Sequence, residues 1–180
     1  MVINEELRFI FVHVPKTAGQ AIHRTLPRPR RNPWLTHANL DDIEKGDNFA
    51  FGFTRNPWDR MVSLYSFILQ RNWPNGDHNK VRELGFKKSL LERKLGDFNH
   101  PRDGQNDSLL WLNRCDYVGR FETLQEDFNT VSDLIGIERR TIGVMNKSKH
   151  AHYRKYYDDE SADFIKKMHK GTIKQYGYEF

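Results

Sequence analysis

Residues 9–14 read Phe-Ile-Phe-Val-His-Val, pass within four residues into Pro-Lys-Thr-Ala-Gly, and continue as Gln-Ala-Ile-His-Arg-Thr-Leu. An apolar run this short, rich in aromatic and β-branched residues and closed by proline and glycine, predicts a buried strand. Two further runs have the same character, at residues 49–54 and 117–121, and a weaker one lies at 34–36. Apolarity that is continuous rather than alternating predicts strands covered on both faces, as in a parallel sheet.

Helical periodicity fills the intervals. A helix is expected over 19–26, and another over 39–45 with Asn39 as its N-cap and Gly46 at its end. Residues 57–71 open with Pro57 and are apolar nearly all round, which predicts a buried central helix. Residues 80–95 carry Val81, Leu84, Leu91 and Leu95 at helical spacing. Thr123 and Glu126 have the spacing of a capping box, with Leu124, Phe128, Val131 and Leu134 following and Gly136 closing the helix. A last helix is expected over 159–170, ended by Gly171. Strands alternating with helices give an α/β class: one domain over residues 1–180, a short parallel sheet flanked by helices.

The chain has 29 lysines and arginines against 24 aspartates and glutamates, a net charge of +5 that favours anionic partners. One cysteine, Cys115, excludes an intrachain disulfide and suits a reducing compartment. The N-terminus carries no basic segment followed by an apolar run, and no window approaches the ~18 apolar residues of a membrane span. The expectation is a soluble, cytoplasmic chain with no membrane partner. Basic runs at 28–31 and 87–94 raise a polyanion-binding alternative, but no nucleic-acid-binding signature accompanies them.

In parallel sheets, ligands bind at the carboxyl ends of the strands. The run at 9–14 ends in Pro15-Lys16-Thr17-Ala18-Gly19, and the run at 49–54 ends in Arg55-Asn56-Pro57. Two basic, loop-forming motifs are therefore expected at one sheet edge. Thr17, Ala18 and Gly19 can aim main-chain N–H groups into a single concavity at the start of a helix. Glycine allows close approach, and Lys16 adds a mobile charge. In the second motif Arg55, with Ser63 eight residues on, can clamp a phosphate; Arg55 pairing with Asp59 is the structural alternative. Two separated clamps suit a ligand with two separated anionic groups. In the triphosphate-binding loop G-x-x-x-x-G-K-[ST] the lysine follows the glycines. Here it precedes Gly19, which counts against a nucleotide kinase-like phosphoryl transferase without removing that alternative.

The stretches FVHVPKTAGQAIHRTL and FGFTRNPWDRMVSLYSF resemble the two nucleotide motifs of the sulfotransferases, closest to the branch holding bacterial sulfotransferase-family-2 domains and Golgi carbohydrate sulfotransferases. THANLDDI, DYVGRFETLQEDF, NKS, YRKYYDDE and the ending YGYEF resemble further segments of that family, so the similarity covers most of the chain. The resemblance implies a P-loop-like nucleotide-binding fold. It also implies transfer of a sulfuryl group from 3′-phosphoadenosine-5′-phosphosulfate (PAPS) to a hydroxyl on a carbohydrate acceptor, with no metal and no nucleic-acid partner. Pro15, Lys16, Thr17, Ala18, Gly19, Gln20 and Ala21 would then surround the 5′-phosphosulfate. Arg55 and Ser63 would hold the 3′-phosphate, and Asn146, Lys147 and Ser148 would close over the nucleotide. Gln20 and Ala21 depart from the family, which often has two hydroxyl residues there. Lys16 would stabilise charge on the bridging oxygen, and His37 is the first choice of general base. His13 is expected to be a core histidine, and His150 with His152 is not expected to bind metal.

Overall fold

The computed structural model describes residues 1–27, 40–70, 77–95, 106–143 and 150–180. Four strands form one sheet in the order β1 (Val2–Asn4), β2 (Phe9–Val12), β3 (Phe49–Thr54) and β4 (Tyr117–Arg120). β2, β3 and β4 run parallel, with Phe9 opposite Phe49 and Phe51 opposite Tyr117. The expected all-parallel sheet is corrected by β1, which pairs antiparallel with β2, Val2 opposite Phe11. A strand of three residues beside Glu5 and Glu6 is too short to show a period. What forms it is a tight turn, in which the Asn4 side chain accepts the Leu7 N–H at 3.0 Å and Arg8 takes a φ of 51°.

The described helices are α1 (Gly19–Thr25), α2 (Pro57–Gln70), α3 (Asp77–Leu91), α4 (Leu109–Leu112), α5 (Leu124–Leu134), α6 (Asp159–Met168) and α7 (Lys170–Tyr176). They belong to two compact units. The first comprises Met1–Arg55 with Ser108–Asn146, and the second Asn56–Asp107 with Lys147–Phe180.

In the first unit the sheet is covered on both faces, which is why β2 and β3 read as continuous apolar runs. The run at 117–121, expected to be a buried strand, is corrected: β4 is only partly buried and ends in the exposed Arg120. On one face Phe9, Phe11, Phe51 and Phe53 pack with Ile22 and Leu26 of the α1 end and with Phe128 and Val131 of α5. Each of these buried phenylalanines contributes roughly 1.5–3 kcal/mol. On the other face Ile10, Val12 and Ala50 pack with Leu40, Trp111 and Leu112. The helix expected over 39–45 is reduced, among described residues, to a 3-10 turn at Leu40–Asp42. Asn39 and the weak strand at 34–36 lie outside the described residues.

The expected capping box on α5 does not form. Thr123 makes no side-chain cap bond, and its hydroxyl instead donates to Asp127 Oδ2 at 2.6 Å. Asp127 also accepts from the Arg120 N–H and the Tyr117 hydroxyl, so its carboxylate joins α5 to β4. Three donors on one carboxylate outcompete a single cap bond.

In the second unit α2 is the central helix, as its composition predicts. Trp58, Met61, Val62, Leu64 and Ile68 pack with Val81, Phe86, Leu90 and Leu95 and with Ile165 and Tyr178. Asn56 starts α2, its Oδ1 accepting the N–H groups of Trp58 at 3.0 Å and Asp59 at 3.2 Å. α3 is broken at Gly85, which takes φ 71° and ψ 178°. The break places Phe86 and Leu90 in the core rather than the predicted Leu84 and Leu91. The last expected helix is two helices. α6 ends at Met168, the backbone turns at His169, and α7 runs on through Gly171 to stop at Gly177, whose φ is 64°. Gly171 does not end a helix because its N–H is taken by Asp107 Oδ2 at 2.9 Å, at the start of α7.

Candidate functional site

β2 leads through His13 and Val14 into the turn 15–18, and α1 begins at Gly19. Lys16 and Ala18 both adopt positive φ, 69° and 62°. A left-handed conformation costs an L-residue roughly 1–2 kcal/mol. Strain of this kind is concentrated at ligand-binding loops. Between the two strained residues Thr17 is buried, its hydroxyl donating to the Val14 carbonyl at 2.9 Å. The turn is thus stapled to the strand that precedes it.

Ala18 is the N-cap of α1. It has no side-chain oxygen to accept first-turn N–H groups, and its carbonyl accepts from Ala21 at 2.9 Å and Ile22 at 3.1 Å. A Cβ on Gly19 would lie 1.9 Å from His13 Cδ2, so only glycine lets the imidazole lie against the helix start. His13 is half-buried and stacks on Phe11 with ring centroids 6.1 Å apart. It therefore lies under the loop rather than deep in the core, where its place in a strand had put it.

Arg55 follows the last residue of β3 and is 7% exposed. Its Nη1 donates to the Lys16 carbonyl at 3.0 Å, and its guanidinium carbon lies 3.9 Å from the centre of the Phe121 ring. Phe121 is tied to the same edge, its N–H donating to the Thr54 carbonyl at 2.8 Å. The Thr54 and Ser108 hydroxyls meet at 3.2 Å in the buried region beside them. The two basic motifs therefore lie at one sheet edge, as expected, and the structure adds that they end adjacent parallel strands and touch.

The remaining candidates are distributed as follows. Pro15 and Lys16 are half-buried, Gln20 is exposed, and Ala21 is buried against the body of the first unit. Ser63 lies buried on α2 in the second unit. His37, Asn146, Lys147 and Ser148 lie outside the described residues. Among the described residues no group of three or more histidine, cysteine, aspartate or glutamate side chains is placed to hold a metal ion. No helix among them is long and apolar enough to cross a membrane.

Two contributors escaped sequence reasoning: the ring of His13 under Gly19, and Phe121 under Arg55. The signal for the first was a glycine opening a helix one turn after a strand histidine. The second left only an aromatic residue at a strand end, which is too common to be informative.

At the opposite end of β4 the thiol of Cys115 is pushed up to about 12 by burial and then by the adjacent Asp116 carboxylate, with Lys45 opposing. An inert, half-buried thiol belongs to packing rather than to nucleophilic chemistry.

No protein-family model, no curated protein and no solved structure matches the chain. The class defined by the coordinates is α/β, built on a four-stranded mixed sheet.

Proposed function

We propose that the chain is a PAPS-dependent sulfotransferase with a P-loop-like nucleotide fold, transferring sulfate to a hydroxyl of a carbohydrate acceptor. The observation that carries this reading is the Lys16–Gly19 turn, held in a strained shape at the end of β2 and bonded to Arg55 at the end of β3. The motif pair that resembles the sulfotransferases is the pair that meets there.

The residues present suit an anionic donor. The turn carries a lysine and an N-cap without a competing side-chain acceptor. Thr17 contributes its main chain only, because its hydroxyl is bonded to Val14. Main-chain N–H groups therefore stand in for the hydroxyls that Gln20 and Ala21 do not supply. In this reading, following the resemblance, Arg55 and Ser63 would serve the 3′-phosphate, and Asn146, Lys147 and Ser148 would close over the nucleotide.

The donor supplies an activated sulfuryl group. An acceptor hydroxyl oxygen forms a bond to sulfur in line with the leaving oxygen. The bond from sulfur to the 5′-phosphate oxygen breaks, and adenosine 3′,5′-bisphosphate leaves with the electron pair. Lys16 stabilises charge growing on that oxygen, and the hydroxyl proton passes to a base, for which His37 is the choice.

Calorimetric titration with adenosine 3′,5′-bisphosphate tests the reading. Saturable binding by the wild-type protein, lost in Lys16→Ala, is expected. A folded wild-type protein that takes up no bisphosphate would refute it.

A further inference from the structure

The resemblance assigns Arg55 to the 3′-phosphate alone, but its contacts point to the other end of the ligand. Its Nη1 donates to the Lys16 carbonyl at 3.0 Å, and the face of its guanidinium lies over Phe121 at 3.9 Å. A guanidinium held by an edge and a face at once has one orientation, which a flexible ammonium would not reproduce. Phe121 is itself fixed by its N–H bond to the Thr54 carbonyl, so the clamp is anchored in β3 and at the end of β4.

The Lys16 carbonyl belongs to the same peptide plane as the Thr17 N–H. No peptide among the described residues is cis, so carbonyl and N–H point in opposite directions. Drawing the carbonyl onto Arg55 therefore turns the Thr17 N–H away from Arg55. Lys16 itself sits at φ 69°, a region that lysine rarely adopts. We infer that Arg55, backed by Phe121, is a positioning residue for the 5′ anion: it sets the Lys16–Thr17 peptide plane and with it the shape of the cradle. This rests on the reading of that turn as an anion site, and it gives Arg55 a role for ligands that carry no 3′-phosphate at all.

The test uses Arg55→Lys, which keeps the charge but not the planar fork, and Phe121→Leu, which keeps bulk but not the ring face. Two measurements are made on each. Without ligand, hydrogen exchange is followed at the Ala21 and Ile22 amides, which bond the Ala18 carbonyl of the same turn. β3 amides serve as the internal control. With ligand, 5′-AMP is titrated as a nucleotide lacking a 3′-phosphate. Both variants are expected to exchange about tenfold faster at Ala21 and Ile22, and to bind 5′-AMP about tenfold more weakly, the scale of one lost charge-assisted hydrogen bond. Unchanged exchange in both variants overturns the brace. Faster exchange with unchanged 5′-AMP affinity overturns its link to anion binding. A wild-type protein that binds neither 5′-AMP nor the bisphosphate would remove the nucleotide reading, while the exchange measurement still decides whether Arg55 braces the turn.

Discussion

The imidazole of His13 occupies the space that a Cβ on Gly19 would need, with Cδ2 at 1.9 Å and Nε2 at 2.1 Å from that position. Two opposing effects bear on Gly19→Ala. Alanine favours a helix over glycine by about 1 kcal/mol. Forcing a methyl group into an occupied site costs roughly 1–3 kcal/mol. The second wins because the obstacle is a ring stacked on Phe11, not a loose side-chain tip. Gly19→Ala is expected to destabilise the fold, and the same change in a His13→Ala background to be neutral or stabilising. A double-mutant cycle by urea denaturation measures this; additive effects would contradict it.

Ala18 sits at φ 62° and ψ 16°. Left-handed backbone costs alanine roughly 1–2 kcal/mol, and the extra freedom of glycine in the unfolded chain offsets roughly 0.5–1 of that. Ala18→Gly is therefore expected to stabilise the protein by about 0.5–1 kcal/mol. Lys16→Gly, at φ 69°, should likewise cost no stability yet abolish bisphosphate binding. Denaturation and titration of both variants separate strain from function. A large loss of stability in Lys16→Gly would show that the side chain is held for folding.

Lys87 Nζ lies 2.6 Å from Asp158 Oδ2 and 2.6 Å from Glu160 Oε2. The bond from Lys87, then the hydroxyl and amide of Ser161, hold the Asp158 carboxyl well below its ordinary 3.8. Asp158 and then Glu160 lift Lys87 to about 12. A depressed carboxyl contributes stability above 3.8 that is lost as pH falls further, and a raised amine contributes stability below 10.5 that is lost as pH rises through about 12. Lys87→Ala should flatten both limbs of the Tm-against-pH curve. High salt should shrink the difference from wild type, because the pair is exposed. Identical acid limbs in the two proteins would contradict this.

Asp107 gathers the start of α7. Its carboxylate accepts from the Gly171 N–H at 2.9 Å, from the Thr172 N–H at 3.1 Å, and from the Thr172 hydroxyl. Thr172 is fully buried. Removing a capping carboxylate costs about 0.5–2 kcal/mol, and losing the bond to the Thr172 hydroxyl adds roughly 0.5–1.5. Asp107→Ala is thus expected to lose about 2–3 kcal/mol by chemical denaturation. Asp107→Asn, which can still accept, should lose less. Equal losses would point to the charge rather than the cap.

Much of the first unit was legible in the amino-acid order. β3 lies where the apolar run at 49–54 placed it, and β2 falls short of its run because pairing stops at Val12, although Val14 beyond the half-buried His13 is buried again. Local signals with two competing outcomes were less reliable. Thr123 had the spacing of a capping box, but a carboxylate shared with β4 drew its hydroxyl away. Gly171 looked like a helix stop, but Asp107, 64 positions earlier, made it a helix start.

The sequence alone placed β2 and β3 as buried strands covered on both faces, and put two basic turns at one edge of the sheet. Those properties depend on hydrophobicity and turn chemistry within a few residues. The tertiary structure alone decided that β1 turns back against β2, that His13 lies under Gly19, and that Arg55 spends an edge on the Lys16 carbonyl across 39 positions of chain. The physical reason is that hydrogen bonds and ring contacts depend on distances and angles that exist only once the strands are in register. A composition or a spacing carries neither.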